Sequence, residues 1–172
     1  MADLIFNQKE IPRSQWRYGL RSSAATGCGW IATYNALKLM GYRAEPEKLI
    51  RYYQRRFPVV NGNFGTFIFN LTTFFKERGF PVEMTARWRE LDPLARRSDA
   101  CILFYFWQSG CAVGSHYVAL RHDGRTFVGY NTYSNSTGPD EYGPSLEEFL
   151  RRRRYFFPIL IGIRDRRKKA VN

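Results

Sequence analysis

Between Gly27 and Met40 the chain has almost no polar face. Trp30, Ile31, Ala32, Tyr34, Ala36, Leu37, Leu39 and Met40 cover nearly every side of a helix that starts at Thr26 or Gly27. A helix that is apolar all round is stable only when buried on most sides, so the remaining chain has to enclose it. With 172 residues, 44% of them hydrophobic, there is material for one substantial core and little for a second. The 14 Phe and 11 Tyr argue against a disordered chain. The expectation is a single domain over residues 1–164 with a basic tail at 165–172.

The segments around this helix divide into two kinds. Residues 1–25 read as an irregular lead-in, punctuated by Pro12 and Gly19 and expected to lie over the surface. Gly41 stops the first helix, and Pro46, suited to a first helical position, opens a second that runs to about Arg56. A third, about Thr66 to Arg78, carries Phe67, Leu71, Phe74 and Phe75 and ends at Gly79. After that the period changes. Residues 82–87, 100–107, 116–121, 126–130 and 156–163 are rich in β-branched and aromatic residues and read as strands. Asp123-Gly124 is placed as a tight hairpin turn, and Ser145 with Glu148 as the capping box of a short helix. Helices first and an antiparallel sheet second make an α+β domain.

The apolar helix carries a cysteine in its first turn, within Gly27-Cys28-Gly29. Unpaired N–H groups and the positive end of the helix dipole favour a thiolate there, at roughly pKa 3.5–7.5 instead of about 8.5. Gly27 and Gly29 are expected to let a substrate backbone approach. The three cysteines, Cys28, Cys101 and Cys111, match no disulfide framework or zinc spacing, which suits a reducing compartment. Cys101 reads as core and Cys111 as a loop residue. Only two histidines are available as a base. His122 adjoins the hairpin turn and is expected to be solvated, whereas His116 opens a strand and can face a helix end. With the turn centred on Asp123-Gly124, Asn131 falls opposite His116 and is placed to orient its ring, with Asn135, Asp123 and Asp140 as alternatives. The lead-in offers Gln8 or Gln15 as a side-chain amide for an oxyanion.

The order Gln8, Gly27-Cys28-Gly29, then Gly114-Ser115-His116-Tyr117-Val118-Ala119-Leu120, then a strand ending in Asn131 resembles the papain-like cysteine peptidases. Within them it is most similar to the bacterial double-glycine, bacteriocin-processing branch. The resemblance spans about residues 6–132. It implies a papain-like fold, with the cysteine helix packed on the antiparallel sheet. It also implies Cys28 as nucleophile, His116 as base, Asn131 as orienting residue, Gln8 in the oxyanion hole, a peptide substrate and no cofactor. The sequence departs from that branch at Trp30, where proline is usual, and at Asn131-Thr132, where Asp-Pro is usual. Asparagine holds an imidazole without adding charge to support imidazolium.

Other readings fit less well. Gly27-Cys28-Gly29-Trp30-Ile31-Ala32 matches G-x-G-x-x-A, but no buried strand precedes it and Pro46 spoils the next one. Two histidines and no clustered ligands argue against a metal centre. The formal charge of +12 is concentrated late: nine basic residues and one acidic lie between Arg151 and Lys169. Arg151, Arg152, Arg153, Arg154 and the tail therefore define an alternative, a catalytically silent domain binding an anionic partner. An acyltransferase or deamidase is a further alternative. No signal peptide and no apolar run near 18 residues are present, so a cytoplasmic protein without a membrane span is expected.

Overall fold

The computed structural model describes residues 3–56 and 65–171. Among the described residues eight strands and six α-helices follow in chain order: β1 (Arg17–Tyr18), β2 (Arg21–Ser22), α1 (Ser23–Thr26), α2 (Cys28–Leu39), α3 (Pro46–Gln54), α4 (Ile68–Glu77), β3 (Val82–Thr85), α5 (Trp88–Arg96), β4 (Ala100–Ser109), β5 (Ala112–His122), β6 (Phe127–Tyr130), β7 (Asp140–Gly143), α6 (Leu146–Arg152) and β8 (Phe156–Ile163). β1 and β2 pair with each other. The others form one antiparallel sheet in the order β3-β8-β4-β5-β6-β7.

The sheet is covered on both faces, which is why its strands read as nearly continuous apolar runs. Ala100, Ile102, Tyr117, Ala119, Ile161 and Ile163 point to one side, into a core shared with α2, α3 and α4. Cys101, Leu103, Tyr105, Val118, Leu120 and Leu160 alternate to the other, against α5 and α6. Helix α2 is enclosed as its composition requires: every residue from Cys28 to Leu37 is buried. Gly41 and Gly79 follow α2 and α4 with positive φ (76° and 77°), the left-handed stop that a side chain disfavours. Ser145 Oγ accepts the Glu148 N–H at the start of α6, as its spacing predicts.

The lead-in differs from the expectation of a surface segment. Asn7, Gln8, Ile11, Tyr18 and Ser23 are buried, and Asn35 in α2 holds the chain through Ile5, accepting its N–H (3.0 Å) and donating to its carbonyl (2.8 Å). Side-chain amides and tyrosine hydroxyls inside the core supply the partners that an irregular segment lacks. The β5–β6 hairpin also differs. Asp123 Oδ1 accepts the N–H groups of Arg125 and Thr126 (both 2.9 Å), so the loop spans Asp123 to Thr126 and His122 pairs with Phe127. The register is two residues longer than a tight Asp123-Gly124 turn gives. Helix α5 and strand β7 appear where no element was expected.

The terminal segment turns back onto the fold. Asp165 is buried; its N–H donates to Asp99 Oδ2 (2.7 Å), and its carboxylate accepts from the Tyr42 hydroxyl (2.7 Å) and the Arg167 guanidinium. Those donors hold the Asp165 carboxyl well below the usual carboxylate range. Among the described residues, no helix is long and apolar enough to cross a membrane.

Candidate active site

The site is assembled where the start of α2 meets the open end of the β5–β6 pair. Gly27 separates α1 from α2, and Cys28 is the first residue of α2. Trp30 locks this junction: its Nε1 donates to Ser23 Oγ (3.1 Å), and its ring meets the edge of Trp16 at 5.7 Å. The indole thus braces α1 against α2.

Both glycines beside Cys28 are required by the chain's own packing, where an opening for substrate backbone was expected. A Cβ at Gly29 would lie 2.5 Å from the Thr66 side chain, and one at Gly27 would lie 2.6 Å from the Ser23 carbonyl oxygen. The chain itself fills that space. Thr66 is in turn held by the Tyr18 hydroxyl at its Oγ1 (2.7 Å) and by the Tyr117 hydroxyl at its carbonyl (2.9 Å).

The backbone amides of Tyr117, Gly29 and Cys28 itself favour the thiolate of Cys28. Cys28 and Tyr117 share one core cluster, which brings the start of α2 to β5. Burial nevertheless pushes the Cys28 thiol up, against the pull of those donors. This corrects the expectation of a lowered value: the helix end is present, but Cys28 is buried and desolvation outweighs it.

Three further expected residues form one hydrogen-bonded chain. His116 Nε2 lies 2.6 Å from the Asn131 carbonyl oxygen. A carbonyl only accepts, so Nε2 carries the hydrogen and Nδ1 of the neutral ring is left with its lone pair. Burial lowers the His116 value, against the stabilising Asn131 carbonyl. Asn131 thus holds the ring with its main chain. Its side chain turns the other way: Oδ1 accepts the Gln8 N–H (2.7 Å), and Nδ2 donates to Gln8 Oε1 (3.2 Å). Gln8 Nε2 then donates to the Ala24 carbonyl in α1 (3.3 Å). The longer hairpin explains the geometry, because continuing the β5–β6 register places Asn131 opposite Val118 and not opposite His116.

Gln8, His116 and Asn131 line a cavity of about 400 Å³, whose walls include Tyr105, Trp107, Tyr133 and Tyr155. Cys28 is not among its lining residues. Asn135 also lines it, whereas Gln15 is exposed elsewhere in the lead-in. Asp140 accepts from Ser136 Oγ (2.7 Å), and Asp123 is occupied by its turn. His122 lies at the far end of β5, six residues or roughly 20 Å from His116. It is half-buried, with Nε2 2.7 Å from Arg96 Nη1. Cys101 is buried on the α5–α6 side and Cys111 is exposed. Sequence reasoning gave no site role to Thr66 or Tyr117; Thr66 packs on Gly29 and is held by the Tyr117 hydroxyl, contacts that no local pattern encodes.

A structural relative of known description matches this arrangement of elements. The peptidase domain of Streptococcus ComA, a bi-functional ABC transporter involved in a quorum sensing pathway, aligns with a TM-score of 0.52. The match covers 80% of this chain and 90% of that domain, at 14% identity. The fold is papain-like. No protein-family model and no curated protein sequence matches the chain. The fold is α+β, as the residue pattern implied, with the cysteine helix packed on an antiparallel sheet, as the resemblance implied.

Proposed function

We propose that the protein is a cysteine peptidase that cleaves an amide bond through an acyl-enzyme on Cys28. The supporting observation is the His116 ring, whose Nδ1 lone pair is left free by the Nε2–H bond to the Asn131 carbonyl, on the residue next to Tyr117, whose backbone amide bears on the Cys28 thiol. In this reading Nδ1 removes the Cys28 proton as sulfur attacks the substrate carbonyl. The Cys28 backbone N–H and the Gln8 Nε2 amide stabilise the oxyanion. The imidazolium returns its proton to the departing amine, and water, deprotonated by the same nitrogen, resolves the thioester. Asn131 is a positioning residue that serves both partners. A different nucleophile at the last step gives acyl transfer, and an amide side chain as substrate gives deamidation. The peptide assignment follows the description of the ComA domain. A reducing, cytoplasmic setting suits the free thiols.

The arginine-rich segment favours no second reading. Arg151 pairs with Glu147 (2.9 Å) and lies over Trp88 (4.9 Å), and Arg153 lies over Tyr133 (5.0 Å).

The test is hydrolysis of an internally quenched peptide library by the wild type, Cys28→Ala and His116→Ala. Activity is expected to vanish in the first variant and to fall about 10²–10⁴-fold in the second. Full hydrolysis by either variant overturns the assignment.

A further inference from the structure

Helix α3 buries one face and charges the other. Leu49, Ile50 and Tyr53 turn inward, whereas Lys48, Arg51 and Arg55 are exposed at the i, i+3 and i+7 positions that share a helix face. Together with Tyr52, Arg56 and Arg78 they line an open cavity of about 620 Å³. No carboxylate is among its described lining residues, and residues 57–64 of the sequence carry no charge. A second cavity, of about 400 Å³, shares Lys48 and Arg78 with the first and adds Arg43 and Arg166. The two make one basic trough across α3, the end of α4 and the terminal segment, and neither is lined by Gln8, Cys28, His116 or Asn131.

Only part of this charge is matched. Glu45 pairs with Lys48 (3.0 Å) and Arg43 (3.5 Å), and Glu77 pairs with Arg56 (2.7 Å). Glu47, one turn before Arg51, accepts from Trp16 Nε1 (2.8 Å). Among the described residues, Arg51, Arg55, Arg78 and Arg166 form no ion pair. Rings hold several of the guanidinium groups in place. Arg56 and Arg78 lie over Tyr52 (4.4 and 4.8 Å), Arg78 also lies over Phe74 (3.7 Å) and donates to its carbonyl (3.0 Å), and Arg166 lies over Phe80 (5.2 Å). A guanidinium fixed in this way loses little freedom on binding and offers a planar fork that matches phosphate oxygens.

We infer that this trough binds a nucleic-acid strand through its phosphates, without sequence preference. The inference goes beyond the peptidase reading and does not depend on it. A formal charge of +12 attracts such a strand to the whole chain, and the unpaired arginines of the trough give it a seat. The stacked guanidinium groups occupy ring faces on which bases would otherwise stack, so the contacts offered are to the backbone. A membrane fits the surface less well. The trough is concave, and none of the exposed large apolar side chains, such as Phe69 and Phe157, lines it for insertion into a bilayer.

The test is fluorescence anisotropy of the full chain with labelled single strands of about 20 nucleotides, of uridine, adenosine or mixed sequence. The wild type is expected to bind all three within about threefold of one another, and ever more weakly as salt rises from about 20 to about 200 mM. Arg51→Gln/Arg55→Gln should weaken binding about tenfold at low salt and reduce the slope of log affinity against log salt by about 1.4, two phosphate contacts at roughly 0.7 each. Arg152→Gln/Arg154→Gln removes the same charge elsewhere and should stay within about twofold of the wild type. All four arginines are exposed, so both double variants should keep the wild-type melting temperature. Equal loss in the two would show that net charge alone attracts the strand, which overturns the site. Absence of binding at about 20 mM salt overturns it as well. Tighter binding of polyglutamate or of phosphatidylglycerol vesicles than of the strands would assign the trough to an acidic protein or a membrane and overturn the nucleic-acid assignment.

Discussion

Asn131 carries two duties on two different parts of one residue. It sits in the left-handed region, with φ of 66°, a conformation asparagine tolerates better than most residues. That conformation turns its carbonyl to His116 while its side chain reaches Gln8. The two duties separate under substitution. Asn131→Gly keeps the backbone conformation and the carbonyl, whereas Asn131→Ala loses the same side-chain contacts and also strains Cβ. In urea unfolding the alanine variant should be about 1 kcal/mol less stable than the glycine variant. The glycine variant should hydrolyse peptide more slowly than wild type but faster than His116→Ala, because the imidazole keeps its hydrogen on Nε2. Equal loss in Asn131→Gly and His116→Ala would mean that the side chain holds the ring. The sequence identified this residue through its distance from His116 along a hairpin. It misjudged the contact because the Asp123 side chain lengthens that hairpin by two residues.

Among the elements, the α1–α2 junction shows how tightly the thiol is framed. Alanine at a helical glycine ordinarily adds stability of about 0.5–1 kcal/mol. At Gly29 the new Cβ would meet Thr66 Cβ at 2.5 Å, an atom fixed directly to the backbone. Overpacking of this kind costs roughly 1–3 kcal/mol, so it outweighs the helix gain. Gly29→Ala should therefore lower the melting temperature and slow alkylation of Cys28. An unchanged melting temperature would show that the Thr66 segment yields freely. Helix α2 was legible because its residues are apolar on every side, and α6 because Ser145 and Glu148 stand three apart. Helix α5 was hidden by Pro93 and its charges, although Leu91, Leu94 and Ala95 recur at helical spacing and are buried. Strand β7 offers only Tyr142 to a core, stacked on Phe149 at 3.9 Å, too little pattern to read in four residues.

For the whole molecule, burial of titratable groups on both sides of the sheet sets a pH window for stability. The His116 value is lowered from 6.5 by burial, so below that value the unfolded chain binds more protons than the folded one. Stability should fall as pH drops below about 6.5, and carboxylates such as Asp165 and Asp123, both held low, add to the fall at more acid pH. At the alkaline end Cys28, Tyr53 and Tyr142 are raised by burial, so the unfolded chain loses protons first and stability falls again. Urea midpoints across pH 5–10 should trace this dome, and His116→Gln should flatten its acid side. An acid limb that is unchanged in that variant would place the titrating group elsewhere. These groups were visible as residues in the sequence, but their enclosure was not, since it depends on which face of the sheet each helix covers.

The latch between Gln8 and Asn131 joins residues 123 positions apart. Synthesis runs from the N-terminus, so α2 and its cysteine exist long before the strand that supplies the latch. Until Asn131 has emerged and β6 has paired with β5, neither the His116 imidazole nor the Gln8 amide has its anchor. A growing chain therefore carries Cys28 through most of its own translation before the hydrogen-bonded chain from His116 through Asn131 to Gln8 can close, and so long a separation in sequence makes that closure a late, slow contact.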